Sequence, residues 1–322
     1  MKFKIVPIAG DASFRKFYRI FFDNKKKIIV TSEKEKYNNL LAYSAINKFL
    51  RLKKLNTPKL YDHNYSKGII IIEDFGDLPF NKIISKNKNK FKIYKKLVDL
   101  LLKIQKIRPP KKIKIFNKKF HFMKKYSNKY LFKESNLFFD WYLPTFIKKN
   151  KVLNIKKRSN KILNNLYNKL NFSNSYFCHR DYHAENLMKN GNKIGIIDSQ
   201  DAMIGNPAYD LVSLIDDVRI KTSKKLKNKI YKYYLKKKFK NQNKKCEDFL
   251  EDFNILSVQR SLKIIGIFSR LYIRDNKEKY LKFIPYTWKL MEMRMNSDEF
   301  LELKKIFKDN IPFKIRKKIK FK

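Results

Sequence analysis

HRDYHAENLM (His179–Met188) and the following GIIDSQD (Gly195–Asp201) decide how this chain is read. Together they hold three oxygen-bearing side chains, Asp181, Asn186 and Asp198, in one short region. Leu187-Met188 and Ile194–Ile197 are apolar runs of strand length, and Asn190-Gly191 between them is a hairpin turn. The second run ends on Asp198 and presents it at the rim of a buried strand. A buried, unpaired carboxylate would be costly there, and a metal partner removes the cost. Phosphoryl transfer asks for this combination: a carboxylate that orients a hydroxyl and takes its proton, and hard oxygen ligands for Mg²⁺. Asp181 suits the first role, while Asn186 and Asp198 suit the second. Taken singly, each residue reads as a cap or a chance pairing; the spacing of the whole set favours chemistry.

Outward from this island the character of the chain differs on its two sides. Upstream, residues 1–76 are β-rich with one helix. Strands are expected at Phe3–Val6, Phe14–Phe22, Ile28–Thr31, Leu60–Asp62 and Ile69–Glu73, and a turn at Gly10-Asp11-Ala12-Ser13. Leu40, Leu41, Ala45, Phe49 and Leu52 give Tyr37–Leu55 a helical period. Downstream, helical patterns dominate Asn81–Gln105, His121–Lys149, Lys161–Leu170 and most of Ala208–Phe307. A small β lobe (1–76) followed by a larger helical lobe (77–322) is an α+β, two-lobed arrangement.

The net charge of +48 is prominent, and its composition matters more than its size. Of the 77 basic residues 12 are Arg and 65 are Lys, in a chain also rich in Asn, Ile and Phe. A/T-rich codons account for that mixture without a partner. Readers of nucleic acid rely on the forked guanidinium for bidentate contacts, so no specific nucleic-acid partner is expected, although general attraction for anions follows. No apolar run approaches the ~18 residues of a membrane span, and two cysteines build neither a disulfide framework nor a metal site. The expected compartment is the cytoplasm.

At this point the sequence resembles the aminoglycoside phosphotransferase and choline kinase family of kinase-like enzymes, most nearly its bacterial branch of anomeric amino-sugar kinases. The segments carrying the likeness are GDASFRKFYRI (Gly10–Ile20), IIIEDFGD (Ile70–Asp77), FFDWYLP (Phe138–Pro144), HRDYHAENLM, GIIDSQDAMIGNPAYDLVSLIDDVR (Gly195–Arg219) and QRSLKIIGIFSRL (Gln259–Leu271). The resemblance implies a protein-kinase-like fold, with ATP and Mg²⁺ as cofactors and a small hydroxyl-bearing amino sugar as substrate. It implies Asp181 as catalytic base, with Asn186 and Asp198 on the metal. Gly10, Asp11, Ala12 and Ser13 would form the loop over the phosphates, and Glu73, Asp74 and Phe75 the hinge that pairs with adenine. His183, Asp201 and Arg219 are candidate sugar contacts, each with a structural alternative. His179 and Asp210 would brace the catalytic loop, although Asp210 also reads as a helix cap. Asp140-Trp141-Tyr142 falls in a helix flanking the acceptor pocket, where aromatics serve the core or stack on a ligand.

One departure stands out. Kinase-like folds place a Lys on the third strand to meet the α- and β-phosphates. Here that strand reads Ile28-Ile29-Val30-Thr31-Ser32 without one. Lys27 and Lys34 flank it, and Arg15, Lys16 and Arg19 lie on the strand beside it, so one of these takes its place, or the loop and metal suffice. Two other readings stay open: a kinase of a different small alcohol, such as an aminoglycoside or choline-like acceptor, and a catalytically silent basic protein that binds nucleic acid or a partner.

Overall fold

The structure, a computed structural model, describes residues 4–8, 15–22, 25–33, 37–115, 120–240 and 242–317. By its contacts the chain divides into two compact units, one of residues 1–124 with 176–204 and the other of 125–175 with 205–322.

The first unit is built on an antiparallel sheet of β1 (Lys4–Ile8), β2 (Lys16–Phe22), β3 (Lys25–Thr31), β4 (Leu60–Asn64) and β5 (Ile69–Glu73), in the order β1-β2-β3-β5-β4. Alternation along β3 and β5 sends Ile28, Val30, Ile70 and Ile72 to one face. There they close over Leu40 and Tyr43 of α1 (Tyr37–Leu52). The loop into β5 needs Gly68, which has φ of +65° and whose carbonyl oxygen accepts from Ser32 N–H at 2.9 Å. A Cβ at this position would lie 2.1 Å from the Ser32 carbonyl oxygen. After the sheet come α2 (Phe80–Lys86) and α3 (Lys90–Gln105), separated where Asn89 caps the backbone N–H of Lys92 at 3.2 Å. A small ribbon of β6 (Lys112–Lys114) and β7 (Phe120–Phe122) follows. His121 therefore lies in a strand, where the helical pattern placed a helix start.

The remaining strands of this unit are the island: β8 (Tyr176–Cys178) pairs with β11 (Met203–Gly205), and β9 (Leu187–Asn190) with β10 (Lys193–Ile196). Asn190 pairs with Lys193, so the two-residue turn is Gly191-Asn192, one position later than expected. Gly191 takes φ of +55° there. The third strand of the main sheet also begins earlier than expected, so Lys25, Lys26 and Lys27 lie inside it.

The second unit is helical: α4 (Asn128–Leu137), α5 (Lys149–Asn168), α6 (Ala208–Ile215), α7 (Lys224–Phe239), α8 (Asn243–Asp275), α9 (Ile284–Arg294), α10 (Leu301–Asn310) and the single turn α11 (Phe313–Arg316). The lysine-rich stretch Lys148–Lys161 belongs to α5. Its Val152, Ile155, Ile162, Leu163 and Leu166 form a buried stripe at helical spacing between the charged positions. Gly266 lets α8 pass against the end of α4, where a Cβ would meet the Leu137 carbonyl carbon at 2.3 Å. The chain widens at that crossing into a π-turn, Phe138–Tyr142. Tyr142 is fully buried there, accepting from Trp288 Nε1 at 3.0 Å and donating to the Ile315 carbonyl at 3.1 Å. Of the two roles open to this aromatic, the core one describes Tyr142.

Asp216, just after α6, is the charged centre of this unit. Arg294 grips it at 2.9 and 3.0 Å, Lys227 lies 3.2 Å away and Ser257 donates at 2.8 Å. Burial pushes the Asp216 carboxyl up, but Lys227 and Arg294 outweigh that and hold it at about 2. The pairing therefore stabilises the fold fully above the unfolded value of about 3.9. That contribution is lost as pH falls toward about 2. Asp216→Asn leaves two buried cations without their anion and is expected to cost about 3–5 kcal/mol. Urea unfolding at neutral pH measures the loss, and the same titration between pH 5 and 2 should show a shallower acid dependence for the variant.

Candidate active site

The geometry of the island begins with its backbone. Ile197 N–H donates to the Asn186 carbonyl at 3.0 Å, so the zipper of β9 and β10 continues one step past the strands and brings Asp198 beside the Asp181–Asn186 loop. Within that loop Asp181 O accepts from His183 N–H at 2.9 Å and from the Asn186 side-chain amide at 3.0 Å. Because the Asn186 nitrogen is committed to Asp181 O, its side-chain oxygen is turned the other way. The His179 ring donates through Nε2 to the Ile197 carbonyl at 2.9 Å, tying the start of the loop to the residue before Asp198. His179 is 1% exposed, and this bond is what braces the loop from within the unit.

Two residues of the loop carry left-handed backbone: Arg180 with φ of +73° and Asp198 with φ of +64°. Side-chain-bearing residues adopt this region at a cost, and such strain gathers at functional sites. The surroundings hold both in place. Arg180 donates to the Asp201 carbonyl at 2.9 Å, and the buried Ser199 hydroxyl donates to Asn47 Oδ1 on α1 at 2.7 Å.

Asp198 is partly open, its side chain 36% exposed, and its Oδ1 takes two hydrogen bonds. One comes from Arg15 Nη2 at 2.5 Å and the other from Gln200 Nε2 at 3.1 Å. Gln200 also donates to Asp201 Oδ2 at 3.1 Å and accepts from Arg15 Nη1 at 2.9 Å. Arg15, Asp198, Gln200 and Asp201 thus form one network. Sequence reading singled out three of them and missed Gln200, whose neutral amide gave no chemical signal. The local structure brings Asp181, Asn186, Asp198 and Asp201 into one loop cluster with buried His183. Arg219 belongs to the helical unit, where its N–H bonds to Asp217 Oδ1 at 3.0 Å. Gly10, Asp11, Ala12 and Ser13 lie outside the described residues.

The expected hinge is built from side-chain contacts. Arg19 of β2 grips Asp74 at 2.6 and 3.1 Å and Asp77 at 2.8 and 2.9 Å. That fork holds the Asp77 carboxyl below the usual carboxylate range, chiefly through the hydrogen bonds from Arg19. Gly76, at φ of +78°, turns so that its N–H reaches Asp74 Oδ1 at 2.8 Å. Glu73 pairs with Lys59 through both N–H and side chain. Phe75 is buried and lies against Gly195 of β10, where a Cβ would come within 2.5 Å of its ring. The expected hinge and the β9–β10 hairpin therefore pack directly on one another.

In the helical unit, Asn206 caps α6 by accepting from Ala208 N–H at 2.9 Å. Its amide is held at 2.6 Å by buried Asp252, which also accepts from the backbone N–H groups of Asn171 and Phe172. Burial pushes the Asp252 carboxyl up, against these donors. Asp210 is not the cap: it sits inside the first turn, 1% exposed.

Residues 4–241 match the sequence profile of the phosphotransferase enzyme family. The chain belongs to that family. This phosphotransferase is 23% identical over 286 residues to the N-acetylmuramate/N-acetylglucosamine kinase of Neisseria meningitidis serogroup B, covering 88% of this chain and 83% of that one. It is 27% identical over 281 residues to the kinase of the same name from Caulobacter vibrioides, covering 86% and 76%. Its fold is that of an ADP-bound aminoglycoside phosphotransferase, with a TM-score of 0.59 at 14% identity over 91% of this chain and 92% of the other. A Plasmodium vivax ethanolamine kinase superposes with a TM-score of 0.60 at 13% identity over 91% and 82%. The phosphotransferase thus has the kinase-like fold, with a five-stranded antiparallel sheet and a larger helical part.

The Phe75–Gly195 contact gives a direct check on how this phosphotransferase joins hinge to hairpin. Gly195→Val brings in a residue that strands favour, yet forces the ring aside. It is expected to cost about 1–3 kcal/mol, read as a lowered thermal midpoint. An unchanged midpoint would show that the two elements are not packed together.

Proposed function

We propose that this phosphotransferase is an ATP-dependent kinase of an amino sugar, transferring the γ-phosphate to the anomeric hydroxyl of N-acetylmuramate or N-acetylglucosamine in cell-wall sugar recycling. The observation that carries the reading is the stitched loop in which the Asn186 side chain is bonded to Asp181 O while Asn186 O receives Ile197 N–H, next to Asp198. The names of relatives matched over most of their length point to the acceptor. In this scheme residues 1–76 act as the nucleotide lobe and 77–322 as the catalytic and acceptor lobe. The work is placed in the cytoplasm, where ATP is available; no described helix is long and apolar enough to cross a membrane.

Asp181 serves as base. It orients the acceptor hydroxyl, and as the bond from that oxygen to the γ-phosphorus forms and the bond to ADP breaks, the proton passes to its carboxylate. An anomeric hydroxyl is more acidic than an ordinary alcohol, so a weak base suffices. Asn186 and Asp198 fit Mg²⁺: one amide oxygen, turned away from Asp181 O, and one half-open carboxylate, both hard donors. When bound, Mg²⁺ would neutralise charge on the phosphates. Among the described residues no cluster of three or more His, Cys, Asp or Glu could cage a metal, so the nucleotide would supply the other ligands. Glu73, Asp74 and Phe75 are proposed to offer backbone groups to adenine, with Gly10–Ser13 over the phosphates. His183 and Asp201 are proposed sugar contacts, and Arg219 a partner for a muramate carboxylate.

A kinase of another alcohol keeps the same machinery, and an aminoglycoside acceptor is disfavoured by a chain with 29 acidic residues against 77 basic ones. The silent reading is disfavoured by the presence of base and metal ligands together.

The test is a phosphate-transfer screen over N-acetylmuramate, N-acetylglucosamine, other hexoses, choline and an aminoglycoside, with Asp181→Asn alongside. The amino sugars should be the best acceptors, and the variant should lose about 10²–10⁴ in kcat with ATP affinity little changed. Equal turnover by the variant would remove Asp181 from its role. Magnesium-dependent thermal stabilisation by ATP, with only weak, salt-sensitive RNA binding, separates the kinase from the silent protein. No ATP effect would favour the latter.

A further inference from the structure

The cation bonded to Asp198 is the unassigned part of this site. Arg15 is only 5% exposed, and both terminal nitrogens of its guanidinium are engaged. Nη2 meets Asp198, Nη1 meets Gln200, and the rings of Phe17 and Tyr43 flank it with centroids at 5.5 and 5.9 Å. The other basic candidates on these strands are engaged elsewhere. Arg19 is committed to Asp74 and Asp77, and the Lys27 ammonium lies 4.8 Å above the ring of Tyr61. The Lys26 ammonium sits over Phe21, and Lys16 is exposed.

A buried guanidinium needs an anion close by. Resting on the proposal that Asp198 takes the metal, we infer that Arg15 is the phosphate-binding cation of this kinase and changes partner when nucleotide arrives. Without nucleotide it neutralises Asp198. With Asp198 holding Mg²⁺, the guanidinium of Arg15 would be released to meet the triphosphate. The two anions compete for one cation, so metal and nucleotide bind together more favourably than either alone. Meeting Asp198 and Gln200 at once through two nitrogens suits a flat fork better than the point charge of an ammonium. This explains why β3 has lysines only at its start, away from the position that a phosphate-binding strand lysine would take.

Two titrations test it: Mg·ATP binding by calorimetry, and Mn²⁺ binding without nucleotide by electron paramagnetic resonance, on the wild type, Arg15→Gln and Arg15→Lys. Arg15→Gln should bind Mg·ATP about 10–100-fold more weakly, the loss of one charged hydrogen-bonding group. It should bind Mn²⁺ alone at least as tightly as the wild type, because the carboxylate has lost its competitor. If Arg15 merely shields Asp198, both affinities rise or stay level, and the inference fails. Arg15→Lys, which keeps a charge in the pocket, covers the case in which Arg15→Gln does not fold. A several-fold loss of Mg·ATP affinity is expected from it, and an unchanged affinity would overturn the role. Failure of the wild type itself to bind Mg·ATP would remove the kinase reading, and this inference with it. Binding by the wild type and equal binding by the variants would remove only Arg15.

Discussion

A single backbone hydrogen bond, Ile197 N–H to Asn186 O, carries the arrangement of the Asp181–Asp198 island. It extends the β9–β10 ladder by one step beyond the last paired residues, so the chain leaving the hairpin must pass the loop that entered it. Everything around that bond acts to keep it. The His179 ring takes the other polar group of Ile197, Phe75 presses on Gly195, and Ser199 is anchored to Asn47 on α1. The left-handed turns at Arg180 and Asp198 are the local cost of bringing side chains together from either side of the hairpin.

Much of this was legible in the sequence, for physical reasons. The β5 strand has the expected limits because four consecutive isoleucines leave no other use for the segment. The β island was legible because its short apolar runs flank Asn190-Gly191, although the turn itself falls one residue later. Other features were hidden. The first half of α5 lies before the expected helical stretch Lys161–Leu170, since its apolar stripe is diluted by Lys and Asn on the remaining faces. The early start of β3 was missed because Lys25, Lys26 and Lys27 lie at the end of the strand, where solvent tolerates them. Gln200 and Asn47 gave no signal, because neutral amides acquire a role only from the neighbours that the fold gives them.

The high charge also looks different once the pairs are placed. Arginine forks grip carboxylates with two teeth at Arg19 on Asp74 and Asp77 and at Arg294 on Asp216, while Arg15 spreads its fork over Asp198 and Gln200. Arg316 reaches Glu292 at 2.8 Å while its ring of donors also meets the carbonyls of Ile311 and Phe307. Lysine prevails on open surfaces, where a point charge serves as well. Compositional drift toward lysine is therefore compatible with an ordinary enzyme interior, because the few arginines stand where planarity counts.

The ion pair at Asp198 has a bearing on how such a protein ages in evolution. In a genome that drifts toward A/T codons, an aspartate becomes an asparagine by one base change, and the left-handed backbone at 198 would accept either residue. The peptide geometry offers no defence. Arg15 does: with its carboxylate gone, a buried cation is left behind, and the fold itself is weakened before any substrate is met. Selection against misfolding thus guards this one position by itself, and a damaged copy is liable to be removed by proteolysis.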